Sequence, residues 1–254
     1  GGRGSEKKQL STAFDHLATR LAATDATRTS MLADLAHELR TPLATLEAYI
    51  DGLEDNVVKT DSASYAVMRD QVARLRRLVV DLRETSAAEE HALNLVLNPQ
   101  DANVIVRDAV AAAQPSFQSK GVQLEAHPAE EPVSVRADAE RAQQVLANLL
   151  NNALRHTPPG GLVEVEIRST MGTSVQILVT DSGEGIPADE IDHIFERFRR
   201  VDPARAVSDG GGSGLGLTIA RAIAEDHGGS LTAQSSGVGH GSCFTWTLPK
   251  DGTS

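Results

Sequence analysis

Four places in the 254-residue chain set reactive or ligating side chains at purposeful spacing. The first is His37-Glu38-Leu39-Arg40-Thr41-Pro42-Leu43. An imidazole with a free ring nitrogen near neutral pH is a nucleophile, and a carboxylate beside it can orient the ring or take its proton. Thr41 lies one helical turn on, on the same face, where a hydroxyl can position water or an incoming group. Pro42 has no N–H for the carbonyl of Glu38, so the helix should bend or loosen in this turn. By spacing alone, a solvated histidine next to an ordinary acid is the better fit.

The second place is Asn148-Leu149-Leu150-Asn151-Asn152-Ala153-Leu154-Arg155-His156. On a helix, Asn148, Asn152, Arg155 and His156 share one polar edge, opposite Leu146, Leu149, Leu150 and Ala153. Neutral amide oxygens suit a Mg²⁺ whose phosphates already supply the negative charge, and Arg155 would neutralise phosphate oxygens. The third, Asp181-Ser182-Gly183-Glu184-Gly185-Ile186-Pro187, comes directly after a strand. A buried carboxylate there can accept from the exocyclic amine of adenine and refuse guanine, while Gly183 and Gly185 let the backbone approach a flat base. Pro187 and the short helix expected after it argue against a dinucleotide fingerprint. The fourth is Gly210-Gly211-Gly212-Ser213-Gly214-Leu215-Gly216-Leu217, opening a helix whose bare amides suit phosphate. With no lysine after the glycines it is not a P-loop. Phe195, Phe198 and the polar stretch Arg199 to Asp209 between the last two places suggest a lid.

The elements that must hold these residues are legible from periodicity. Leu32, Leu35, Leu39, Leu43, Leu46, Ile50 and Leu53 recur at helical spacing, as do Tyr65, Met68, Val72, Leu75, Val79 and Leu82 after the polar break Asp55 to Asp61. His37 sits about half a turn away from both Leu35 and Leu39, off the apolar seam. A hairpin with one narrow stripe per helix is under-buried alone, which predicts a homodimer through a four-helix bundle. An upstream set, Leu10, Phe14, Leu17 and Leu21, extends the helix or enters it as a coiled coil.

Beyond about Thr85 short alternating segments mix with helices. Strands are expected at Leu93 to Leu97, Val122 to Glu125, Val133 to Arg136, Val163 to Ile167, Val175 to Thr180, Ser230 to Gln234 and Ser242 to Leu248. Helices are expected at Ala102 to Ala113, Ala139 to Leu154, Asp189 to Phe195 and Leu215 to Asp226. Together they predict an α/β sandwich, its sheet covered by helices on one face only. The expected division is residues 1–9 tag or linker, 10–30 an upstream helix, 31–86 a dimerising helical hairpin that carries His37, 87–91 linker and 92–254 an α/β domain.

Composition narrows the rest. A net charge of -11 and 3% aromatics give neither a basic surplus nor stacking platforms, so nucleic acid is not the expected partner. Cys243 is the only cysteine and closes no intrachain disulfide, in keeping with a reducing compartment. No window approaches the ~20 apolar residues of a membrane span.

The string His37 to Leu43 resembles the phosphoacceptor box of sensor histidine kinases, the transmitter half of two-component signalling. The succession of asparagine-rich helix, Asp-Xaa-Gly-Xaa-Gly, Phe-Xaa-Xaa-Phe and Gly-Xaa-Gly-Leu-Gly resembles the N, G1, F and G2 boxes of the Bergerat (GHKL) ATP-binding fold. That fold is shared by histidine kinases, Hsp90-type chaperones, gyrase-type topoisomerases and mismatch-repair ATPases.

The resemblance implies that ATP phosphorylates His37, with Glu38 as base, and that Thr41 aids dephosphorylation of a response regulator. It implies Mg²⁺ at Asn148 and Asn152, phosphates or ribose at Arg155 and His156, adenine at Asp181 between Gly183 and Gly185, and the phosphate chain at Ser213, Gly214, Leu215 and Gly216. His156 stands where many members have Tyr, and Ser213 where Thr is frequent. Residues 10–17 are similar to the end of a HAMP relay helix, which implies a cytoplasmic portion of a parent anchored in a bacterial inner membrane upstream. The rival expectations are a Bergerat-fold ATPase clamp without a phosphorylated intermediate, and a degenerate nucleotide-sensing dimer.

Overall fold

A computed structural model describes residues 35–36, 39–89, 95–169, 172–197 and 214–252, without the side chains of 77 and 81–89. His37, Glu38, Ser213, Phe198, the relay segment 10–30 and the lid stretch 199–209 lie outside the described residues. The chain divides into two compact units, residues 1–75 and 76–254.

In the first unit a helix over residues 39–54 (α1) is followed by a turn and by α2, Ser62–Glu89, which runs on into the second unit. The turn is built by its residue types. Val57 and Val58 both donate to the carbonyl of Gly52, at 2.8 and 2.7 Å. A Cβ on Gly52 would lie 2.5 Å from Val58 Cγ2, so a larger residue here would have to displace the Val58 side chain. Asp61 caps α2, its Oδ1 accepting from the Ser64 N–H at 2.9 Å. The N–H and hydroxyl of Ser64 hold the Asp61 carboxyl below the usual carboxylate range. Leu43 and Ile50 on α1, and Tyr65, Val72 and Val79 on α2, are exposed at seven-residue spacing.

The second unit is an α/β sandwich. Its elements are β1 (Asn98–Asp101), α3 (Ala102–Lys120), β2 (Gln123–His127), β3 (Ser134–Ala137), α4 (Ala139–His156), β4 (Leu162–Ser169), β5 (Ser174–Asp181), α5 (Gly216–Asp226), β6 (Ser230–Gln234) and β7 (Ser242–Pro249). The main sheet has the order β2-β4-β5-β7-β6, with β2 and β4 parallel and the other neighbours antiparallel. β1 and β3 form a small antiparallel pair.

Period-two alternation sends Val163, Val165 and Ile167 inward and Glu164, Glu166 and Arg168 outward, as expected of a sheet with one covered face. The inward residues meet the apolar stripes of the helices: Ile105, Val106 and Ala109 of α3, Val145, Leu146, Leu149 and Leu150 of α4, and Ile219, Ala220 and Ile223 of α5. Trp246 and Phe244 of β7 complete one continuous core.

Three elements differ from the sequence expectation. The first strand is Asn98–Asp101 instead of Leu93 to Leu97, because its partner is β3 and its polar residues show no alternation; Leu95 packs on the core outside any strand. α3 passes through Pro115 to Lys120 instead of stopping at Ala113, since buried Phe117 anchors the last turn and Gly121, at φ 73°, closes it. The segment from Asp189 to Phe195 is a run of turns instead of a helix. Its bonds Glu190 N–H to Pro187 O and His193 N–H to Glu190 O span three residues and a single one, Ile194 N–H to Glu190 O, spans four, and so short a piece forms no stable α-helix.

Candidate functional site

α4 starts at Asp138, whose Oδ1 accepts from the Glu140 and Arg141 N–H groups at 3.1 and 3.2 Å. Its other oxygen accepts from the Val96 N–H at 3.0 Å. Burial pushes this carboxyl up, but the three N–H donors outweigh it and hold the group below the usual carboxylate range. His227, buried at the end of α5, accepts the Asp138 N–H at Nε2 (3.1 Å), and its Nδ1–H donates to Ile223 O at 2.7 Å. One imidazole thus ties the start of α4 to the end of α5.

The buried side of α4 fixes its rotation, and Asn148, Asn152, Arg155 and His156 share the half-buried edge. Asn148 faces α5: a Cβ on Gly216 would lie 3.4 Å from its Oδ1. Among the described residues its buried Nδ2 has no hydrogen-bond partner. α5 begins at Gly216, and among the described residues the side chain at its cap position, Leu215, makes no capping hydrogen bond.

Asp181 ends β5 and is 4% exposed. Its Oδ1 accepts from the Gly183 N–H at 2.9 Å, and its Oδ2 accepts from the hydroxyl of Ser242, the residue paired with it on β7. Gly183 is required by crowding, since a Cβ would stand 2.3 Å from the carbonyl of His156. Gly185 is at φ 72° with Gly237 O against it. Ser235 braces this loop, its Oγ accepting from the Ile186 N–H at 3.0 Å and donating to Gly241 O at 2.6 Å.

The end of α4 and this loop are joined. Glu184 donates its N–H to His156 O at 3.1 Å, and its carboxylate lies 3.6 Å from His156 Nδ1. Burial and then the charge of Arg155 press the His156 pKa below its ordinary value, against the opposing pull of Glu184 and Asp181. Phe195 stacks edge-on against Phe244 with centroids 6.4 Å apart. The Arg221 guanidinium lies 5.2 Å over its ring, and Thr218 Oγ1 donates to its carbonyl at 2.9 Å.

The fold therefore brings Asn148 to Gly216 and His156 to Asp181, Gly183 and Glu184, with Asn152 and Arg155 on the same α4 edge and Gly214 and Leu215 just before α5. Thr41 is exposed on α1 in the other unit, and its carbonyl accepts from Thr45 Oγ1 at 3.1 Å. With Arg40, Ala44, Thr45, Ala48 and Tyr49 it lines an open groove of about 520 Å³. Sequence reasoning missed Ser242, Ser235 and His227, whose partners are brought close only by the strand order and helix packing. Among the described residues, Glu125, His127 and Glu164 place possible metal-ligand atoms within 4.8 Å of one another. They lie on the helix-free face of the sheet, apart from Asn148 and Asn152.

The donor set suits Mg²⁺ with a nucleotide. Asn148 and Asn152 offer neutral oxygens on one edge, and among the described residues the buried Asn148 Nδ2 has an unmet hydrogen bond beside the start of α5.

Residues 137–252 match the family described as histidine kinase-, DNA gyrase B- and HSP90-like ATPase, and residues 27–91 match the His Kinase A (phospho-acceptor) domain. The chain is 34% identical over 244 residues to the signal transduction histidine-protein kinase BaeS of Escherichia coli, covering 96% of this chain and 51% of that protein. It is 37% identical over 248 residues to the probable sensor histidine kinase TcrY of Mycobacterium tuberculosis, with the same coverage of 96% and 51%. It thus spans about half the length of these two relatives. Among solved structures, the Acinetobacter baumannii histidine kinase AdeS superposes with a TM-score of 0.70 at 27% identity, covering 85% of this chain and 98% of that one. With a phospho-acceptor domain followed by an ATPase domain of this kind, the chain belongs to the sensor histidine kinases of two-component systems.

Proposed function

We propose that the chain is the autophosphorylating core of its parent sensor, an ATP-dependent protein-histidine kinase. In this reading ATP lies against α4, the loop after β5 and the start of α5. Asp181 accepts from the adenine amine, and Arg155 and the amides at Gly214 to Gly216, with Ser213, take the phosphates. His156 borders the phosphates or ribose as a neutral ring. Asn148 and Asn152 would hold Mg²⁺, which would supply positive charge to neutralise the phosphates. What carries the reading is the juxtaposition of a half-buried asparagine edge with the start of α5 at Gly216, and of the His156 end of that edge with a buried, doubly hydrogen-bonded aspartate.

The chemistry asks for positioning more than for covalent assistance. A ring nitrogen of His37 attacks the γ-phosphorus, the bond to the β-γ bridging oxygen breaks, and ADP departs with that oxygen. Glu38 takes the proton that the ring sheds. The phosphoryl group then passes to an aspartate carboxylate of a response regulator, and Thr41 orients the water that later removes it. The exposed apolar residues at seven-residue spacing on α1 and α2 support a homodimer, and the same reading has the parent held at the inner membrane by an upstream region. Among the described residues no helix is long and apolar enough to cross a membrane.

His37→Gln tests the assignment. The full chain incubated with γ-labelled ATP should acquire acid-labile, base-stable label, and His37→Gln should lose it while still binding ATP. Label retained in that variant refutes His37 as the acceptor.

A further inference from the structure

Resting on this nucleotide reading, we propose that Lys120, which belongs to none of the four motifs, is a positioning residue for the phosphates of the nucleotide. α4 ends at Thr157-Pro158-Pro159, and Pro158 forces Thr157 into an extended conformation (φ -97°, ψ 122°). No glycine comes at once to turn the chain back and satisfy the last carbonyls, as a Schellman ending would. Four carbonyls must find donors elsewhere. Ala153 O takes the Thr157 N–H at 3.0 Å and its hydroxyl at 2.7 Å, and His156 O takes the Glu184 N–H. The two between them, Leu154 O and Arg155 O, are taken by the Lys120 ammonium at 2.7 and 2.9 Å.

Lys120 is held for this task. It is the last residue of α3, and the turn after it is clipped to the turn after α4 by Gly160 N–H to Gly121 O (2.7 Å) and Gln123 N–H to Gly161 O (2.9 Å). The ammonium therefore reaches the α4 terminus from a backbone corner that is itself fixed to it.

The electrostatic consequence concerns phosphate. A helix C-terminus carries about half a negative charge, which repels anions. α4 presents Arg155 and His156 to the nucleotide from that end. Lys120 covers the two carbonyls nearest those side chains, cancels the partial charge and locks the turn that aims the Arg155 guanidinium. Its effect should fall on the triphosphate and leave the adenosine moiety, held at Asp181, untouched.

Displacement of a fluorescent ATP analogue from the full chain by ATP and by adenosine separates these parts. Lys120→Met should weaken ATP roughly five- to thirty-fold and adenosine by less than about two-fold. Lys120→Arg, which keeps the charge and paired donors, should restore ATP to within about three-fold of the parent. ATP affinity unchanged in a folded Lys120→Met refutes the proposal. So does equal weakening of ATP and adenosine, which marks a general structural defect. If Lys120→Met does not fold, Lys120→Gln is judged by the same two criteria. A parent chain that binds neither ligand refutes the nucleotide reading itself, and the role of Lys120 with it.

Discussion

Replacing Asp181 with asparagine separates recognition from folding. In the native site Oδ1 accepts from the Gly183 N–H and Oδ2 from the Ser242 hydroxyl, in a setting 4% exposed. Asparagine keeps an oxygen for Gly183, and its amide can donate to Ser242 Oγ once that hydroxyl turns, so both local bonds survive without the charge. The expected loss of folding stability is about 1 kcal/mol or less. Alanine would orphan the Gly183 N–H and the Ser242 hydroxyl, at ~1–3 kcal/mol each. Ligand binding should respond differently, because the adenine amine loses a charged acceptor worth about 1.5–3 kcal/mol, or roughly 10- to 150-fold in affinity. An amide turned toward the base can also donate to the guanine carbonyl, so the preference for ATP over GTP should narrow. Calorimetric titration with ATP and GTP, beside a thermal melt of each variant, reads all three quantities. An ATP affinity within about two-fold of the parent, with an undisturbed melt, refutes Asp181 as the adenine acceptor.

Two further outcomes rest on the pKa shifts. Asp138→Ala should cost about 1–2 kcal/mol at pH 7 through loss of the α4 cap. The folded pKa of Asp138 is depressed, so its contribution is present above the unfolded carboxylate pKa and is lost as pH falls through the folded one. Urea melts of parent and variant should therefore converge in that acidic window. The His156 pKa is also depressed, so the folded state resists its protonation: this group favours folding above its unfolded pKa, and that contribution is lost as pH drops through the folded value. In an NMR titration His156 should show its midpoint below that of a free histidine. Glu184→Gln should move it lower still, and a rise there contradicts the role of the carboxylate.

Much of the site could be read from the chain because its information is local. Asparagines four apart must share a helix edge, and an aspartate closing the apolar run Val175 to Val179 must sit at a strand end. The residues that brace the site could not be read this way. Ser242 reaches Asp181 across 61 positions, Lys120 reaches Leu154 and Arg155 across 34 and 35, and His227 reaches Asp138 across 89. Strand order and helix packing bring these pairs together, and neither leaves a mark in spacing. β1 escaped for another reason: Asn98-Pro99-Gln100-Asp101 has no buried face to produce alternation. α3 outran its expected end because burial of Phe117 outweighs the local penalty of an interior proline at Pro115.

The wetted side chains of Leu43, Ile50, Tyr65, Val72 and Val79 bear on dosage. If a second copy must cover them before the phosphoacceptor half is stable, its folding obeys mass action, whereas the sandwich half, with its own continuous core, does not. The proportion of competent molecules would then rise with copy number per cell. Scarcity would silence the pathway even with every stimulus present and ATP abundant.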